Sequence, residues 1–172
     1  MLNNLLNKDR VIFNLEFEGL KHSFIPIKIN SQNWLLASNG YHNSGYYFVN
    51  LNKVQKIEVS TDINDQFVRN SESKNYQNMI DKFINSNIDD LIKSYIGYHI
   101  SINESANNLF IMYDNNYCYF DDYYHDYYHA SNKTILFNKE YIYTFGISAH
   151  KKCDQDYLIE RQADILGLNK FI

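Results

Sequence analysis

His125 and His129 stand four residues apart in the stretch YDNNYCYFDDYYHDYYH, Tyr113 to His129, with Asp121 and Asp122 just ahead of them. On a helix the two imidazoles would share a face, and either aspartate one turn earlier would complete a His-His-carboxylate set of the kind that holds zinc or manganese. On a strand, Tyr123, His125, Tyr127 and His129 would share a face instead, giving a looser site. No glutamate lies between the histidines, so the HExxH logic of metalloproteases is absent. The competing reading is a solvated loop or edge strand with half-buried tyrosines, which makes this a contact surface rather than a catalytic centre.

The same stretch holds seven of the sixteen tyrosines and four aspartates, with no lysine or arginine. Its four aspartates equal the net charge of −4, so the rest of the chain balances. Tyrosine supplies large contact area at low entropic cost, and aspartates steer association with a basic partner. The residues expected to make that contact are Asp121, Asp122, Tyr123, Tyr124, Asp126, Tyr127 and Tyr128. The remaining histidines, His22, His42, His99 and His150, are isolated, and His150 with Cys153 is read as a surface loop rather than a nucleophile pair. There is no P-loop, no GxGxxG and no distinctive carboxylate pair, and Asp89-Asp90 reads as a helix start favoured by the dipole. The expectation is a non-enzymatic protein without cofactor or metal.

Composition bounds the rest. At 172 residues, 45% hydrophobic, 16% aromatic and 21% charged, with one proline, the chain is long enough for a core that needs no staple. Asparagine and isoleucine are abundant alongside tyrosine, a bias that discounts part of the tyrosine concentration. Cys118 and Cys153 form no CxxC and read as reduced thiols of a cytoplasmic protein. The start MLNNLLNKDR is too polar for a signal peptide, and no apolar run approaches the ~18 residues of a membrane span. A pI near 5.8 argues against general binding to a nucleic-acid backbone.

These residues must be positioned by short strands. Val11 to Phe17 alternates apolar and polar with period two, and Phe24 to Ile29 follows with Pro26 at an edge or bulge. Trp34 to Ala37, Tyr46 to Leu51 and Val54 to Val59 complete five strands, the last with a bulge expected near its start. Tyr76, Met79, Ile80, Phe83 and Ile84 recur at helical spacing, and Asn87 to Asp90 caps a shorter helix, Ile88 to Tyr95. Strands resume at Tyr98 to Ile102, Leu109 to Tyr113, Tyr117 to Phe120, Thr134 to Phe137 and Tyr141 to Ile147, before a terminal helix around Tyr157 to Leu166.

LNKVQKIEV at Leu51 to Val59 compares with FNKEYIYTF at Phe137 to Phe145, an offset of 86 residues that is half the chain. The same shift lays Phe24-Ile25 on Phe110-Ile111 and Trp34 on Phe120, which suggests an internal duplication. On this shift Asp121 to His129 falls where the first half has a short turn, as an elaborated loop. The run NWLLASNGYHNSGYYFVNLNKVQKIEV, and more loosely YHISINES with NNLFIMYDNNYCYFDD and TILFNKEYIYTF, resembles the small SH3-like or Sm-like barrels of WYL-type domains and of bacterial proteins carrying two such barrels. The resemblance implies an α+β, mainly β fold: two small antiparallel barrels, each followed by a short helix. Residues 1–70 would form the first barrel, 71–97 a helical connector, and 98–172 the second barrel with the terminal helix. It also implies a ligand-sensor role beside DNA-binding modules, although no helix-turn-helix is evident and basic residues are sparse.

The expected function is a binding protein, bacterial or phage, that inhibits a basic protein partner through its acidic tyrosine-rich surface. Immunity proteins and inhibitors of host defence supply the analogy. A nucleic-acid or small-ligand sensor is the second reading, and a metal-dependent enzyme using His125 and His129 the third. No direct nucleic-acid contact, no membrane, and a monomer or small homodimer complete the expectation.

Overall fold

The computed structural model describes residues 2–6, 10–38, 45–61, 77–121, 133–147 and 152–168. In chain order these form α1 (Leu2–Leu5), β1 (Val11–Phe17), β2 (Leu20–Ile29), β3 (Trp34–Ser38), β4 (Tyr46–Asn50), a 3-10 turn (Leu51–Lys53) and β5 (Lys56–Thr61). Then come α2 (Gln77–Asn85), α3 (Ile88–Lys93), β6 (His99–Ile102), β7 (Asn108–Tyr113), β8 (Tyr117–Asp121), β9 (Thr134–Asn138), a second 3-10 turn (Lys139–Tyr141), β10 (Thr144–Ile147) and α4 (Gln155–Leu168).

Local chemistry explains most of these boundaries. In β1, Val11, Phe13, Leu15 and Phe17 are buried and the residues between them are not, as period two requires. Glu18 and Gly19 both take positive φ (41° and 86°), so the β1–β2 connection is a tight turn whose twist matches its strands. Strand β2 starts four residues ahead of its apolar segment, because the exposed to half-buried run Leu20 to Ser23 is held by the ladder to β1 rather than by burial. Pro26 sits at a bulge, where the register against β3 shifts between Pro26 and Lys28. The offset of Val54 is not a bulge: Val54 caps the 3-10 turn, its N–H donating to the Leu51 carbonyl, and β5 begins only at Lys56.

The fold is mainly antiparallel β with a few helices, and its halves repeat. The ten strands of the described residues join one sheet in the order β5-β1-β2-β3-β4-β10-β6-β7-β8-β9. Each half therefore runs fifth, first, second, third, fourth, with a 3-10 turn between its fourth and fifth strands. The bulge of β2 recurs in β7 between Phe110 and Met112. Asn30 caps the β2–β3 turn by accepting from the Gln32 and Trp34 amides, and Asp114 does the same for Asn116 and Tyr117. Asn50 and Asn138 cap the two 3-10 turns through side chains that accept from Asn52 and Glu140. In both halves the first strand begins six residues after a helix ends, Leu5 to Val11 and Lys93 to His99.

The equivalences correct the single offset of 86. Asn50 matches Asn138, an offset of 88, whereas Trp34 matches Tyr117, an offset of 83. The five-residue difference is the β8–β9 connection, twelve residues (122–133) against seven (39–45) between β3 and β4.

Among the described residues the two halves do not close as two separate barrels. The outer edge of β4 pairs with β10, with Phe48 opposite Phe145 and Tyr47 opposite Gly146, so one half continues into the other. Among the described residues no ladder closes either half, and β5 and β9 stand at the two ends of an open order. One core fills the first half (Phe13, Leu15, Phe24, Leu35, Val49). A second runs beneath α2 and α3 and across the junction, with Phe48 and Phe83 ring centroids 5.7 Å apart and Phe48 and Phe145 6.2 Å apart. A third lies between α4 (Leu158, Ile165) and β7 (Leu109, Ile111).

Candidate functional site

The tyrosine-rich stretch begins in β7 and runs through β8. Its strand part is two-faced: Cys118 and Phe120 are buried in the core beneath α2 and α3, while Tyr117 and Tyr119 lie on the other face with rings 6.4 Å apart. Cys118 is inert as a nucleophile, because burial pushes its thiol up to about 12. The Cys153 thiol is likewise raised by burial, and both cysteines are free.

At the β7–β8 turn the polar groups satisfy one another. The Tyr119 hydroxyl donates to Asp114 Oδ2 at 2.5 Å, which holds the carboxyl below the usual carboxylate range and pushes the phenol up to about 12. The Tyr113 hydroxyl donates to Asp89 Oδ1 at 2.6 Å, and partial burial together with that bond raises its pKa. The Lys139 ammonium lies 4.3 Å from the Tyr113 ring centroid and 3.6 Å from Asp89, and Lys93 lies 5.6 Å over the same ring. Asp89 and Asp114 thus sit beside two lysines, so this end of the stretch is not an acidic field.

Asp121 is not a surface residue, which corrects its assignment to the contact face. It is fully buried at the end of β8, matching Ser38, also fully buried, at the end of β3. Residues 157 and 161 are four apart on α4 and share its inner face, which brings both to the carboxylate. Arg161 Nε donates to Asp121 Oδ2 at 2.7 Å and its Nη2 to Oδ1 at 2.8 Å, a two-pronged pair that Tyr157 joins at 3.2 Å. This hydrogen bonding raises the Arg161 pKa further, against the effect of burial. Helix α4 is pinned a second time by Gln162, whose Nε2 donates to the carbonyl of Ile111 at the β7 bulge.

Asp122, Tyr123, Tyr124, His125, Asp126, Tyr127, Tyr128 and His129 lie outside the described residues. So do His42 and His150. Among the described residues no group of three or more His, Cys, Asp or Glu side chains could hold a metal ion, and no helix is long and apolar enough to cross a membrane. His22 is bound to Glu104 of the opposite half. The Asp121–Arg161 pair carried no sequence signal beyond the spacing of Tyr157 and Arg161, because its partners are forty residues apart. The chain matches no protein-family model, and comparison with curated proteins and with solved structures finds no match.

Proposed function

We propose that the chain is a non-enzymatic binding protein that inhibits a basic protein partner, as an immunity protein or an inhibitor of host defence. Its contact surface is the segment holding Asp122, Tyr123, Tyr124, Asp126, Tyr127 and Tyr128. The observation that carries this reading is the duplication: the two halves match strand for strand, and this is the strand connection most lengthened in the second half, by five residues against three at β6–β7. It carries two aspartates and four tyrosines with no lysine or arginine before Lys133. Asp121 is neutralised by Arg161, so Asp122 and Asp126 hold the unbalanced charge. A long connection rooted on packed strands and on α4 is where binding surfaces are built.

Each half is read as an SH3-like unit, supported by the repeated strand order and by the 3-10 turn between fourth and fifth strands. The test is capture from a lysate of the native host by the wild-type protein and by an Asp122→Asn/Asp126→Asn/Tyr124→Ser/Tyr127→Ser variant. One basic protein held by the wild type, released by salt and reduced at least tenfold with the folded variant, supports the reading. Equal capture by both refutes it.

A second reading, a sensor of nucleic acid or a small ligand, draws support from the lysines that overlie tyrosine rings: Lys82 at 4.5 Å from Tyr95, and Lys93 and Lys139 over Tyr113. Salt-dependent oligonucleotide binding lost in Lys93→Ala/Lys139→Ala would select it.

A further inference from the structure

The sheet contains one joint between the fourth strand of one half and the fifth strand of the other, β4 with β10. Duplication supplies the two complementary edges a second time. The free edge of β9 is a fourth strand and the free edge of β5 is a fifth strand, and among the described residues no strand pairs with either. Both lie at opposite ends of the same sheet, so they cannot be the two sides of a single internal contact in this arrangement. We propose that β9 of one copy pairs antiparallel with β5 of a second copy, head to tail, repeating the internal joint.

The internal register fixes the expected one. Shifting by 88 residues carries Phe48 opposite Phe145 to Leu136 opposite Ile57, and Tyr46 opposite Ile147 to Thr134 opposite Val59. The residues at these positions have the chemistry of an unmade joint. Leu136 is 47% exposed and Val59 42%, whereas their internal counterparts Phe48 and Ile147 are 0% and 7%. Strand β9 reads TILFN, with no charge, proline or glycine of the kind that shields an edge. In β5 the charges Lys56 and Glu58 alternate with Ile57 and Val59, so the charged and apolar pairs lie on opposite faces. The backbone is poised as well. In the internal joint the Asn50 N–H donates to the Tyr143 carbonyl at 2.8 Å, and the same shift pairs Asn138 with Gln55. Two-residue periodicity then turns the N–H groups of Asn138, Leu136 and Thr134 toward the free edge.

A head-to-tail contact leaves each copy with one used and one unused edge, so it extends until rotation closes it. This distinguishes it from a two-fold dimer. The proposal concerns the sheet ends and is independent of the partner bound by residues 122–128.

The experiment is sedimentation velocity with light-scattering mass on the full chain from 1 to 200 µM (about the range of weak to moderate self-affinity). Leu136→Pro removes one outward N–H from β9, and on the same 88-residue equivalence Val59→Pro removes one from β5. Wild type is expected to exceed 20.5 kDa as concentration rises. Each variant alone is expected to remain at 20.5 kDa, and their equimolar mixture to reach twice that mass and no more, because one intact β9 meets one intact β5. Recombination also shows that both variants are folded. A wild type that stays at 20.5 kDa throughout overturns the proposal, as does a Val59→Pro protein that associates as well as wild type, which would mean pairing of β9 with β9.

Discussion

Replacing Arg161 by methionine isolates the contact that ties α4 to the end of β8. Asp121 is fully buried, and the substitution removes both hydrogen bonds of the guanidinium to its carboxylate, at 2.7 and 2.8 Å, leaving among the described residues the Tyr157 hydroxyl at 3.2 Å. Stranding a buried charge in this way costs about 3–5 kcal/mol. The Arg161 side chain is 16% exposed, so water has some access to its side of the pair, which places the expected loss near the lower end, about 3 kcal/mol. For a chain of this size each kcal/mol moves the melting midpoint by about 2–4 °C, giving a fall of about 6–12 °C. Urea unfolding gives the free energy directly, with an unchanged slope as the check that the unfolded state is the same. The decisive comparison is Asp121→Leu/Arg161→Met, in which no charge remains to be stranded. It should recover most of the loss, to within about 1 kcal/mol of wild type, since an apolar pair of similar volume often replaces a buried ion pair at little cost. An Arg161→Met protein within about 0.5 kcal/mol of wild type, or a double variant whose loss is the sum of the single ones, would refute the reasoning.

The joint between the halves makes a second prediction: a Cβ at position 146 would lie 2.8 Å from Tyr47 Cε1, so Gly146→Ala should cost about 1–3 kcal/mol, and much less when Tyr47 is also alanine. Denaturant unfolding of the four proteins of that cycle measures it. At the β7–β8 turn, Tyr119→Phe removes the main cause of the depressed Asp114 pKa, so carbon NMR should show that carboxyl titrating closer to its ordinary value. Because its folded pKa is depressed, what Asp114 contributes is present above its unfolded pKa and is lost as pH falls through the folded one. The Tyr119→Phe protein should therefore lose less on acidification, and an unshifted Asp114 titration would remove the Tyr119 hydroxyl as the cause.

Legibility in the sequence followed the range of the interaction. The alternation of β1, the helical spacing that gives α2, the cap of α3 by Asn87 and the opposed faces of Tyr117 and Cys118 are all consequences of residues within one or two turns of one another. The duplication was visible too, but one fixed offset cannot represent an insertion. The value of 86 averages 83–84 in the second and third strands with 88 in the fourth and fifth, and so matched Asn52 rather than Asn50 to the cap at Asn138. The 3-10 turns were missed because three residues carry no period, and the offset of Val54 took on the look of a bulge.

The sequence by itself determined that this is a strand-rich, twice-repeated chain with its acidic and aromatic residues gathered in one segment, since composition, period and repeat are properties of the chain in order. Tertiary structure decided which strand edges meet and that Asp121 is buried against Arg161. A strand's own period selects its buried face but not the neighbour along its hydrogen-bonding edge, so nothing local specified that β4 would take β10 and leave β5 and β9 at the ends. In the same way Asp121 and Asp122 are adjacent and chemically identical in sequence. Only the arrival of Arg161, forty residues later, makes the first of them a buried internal ion pair.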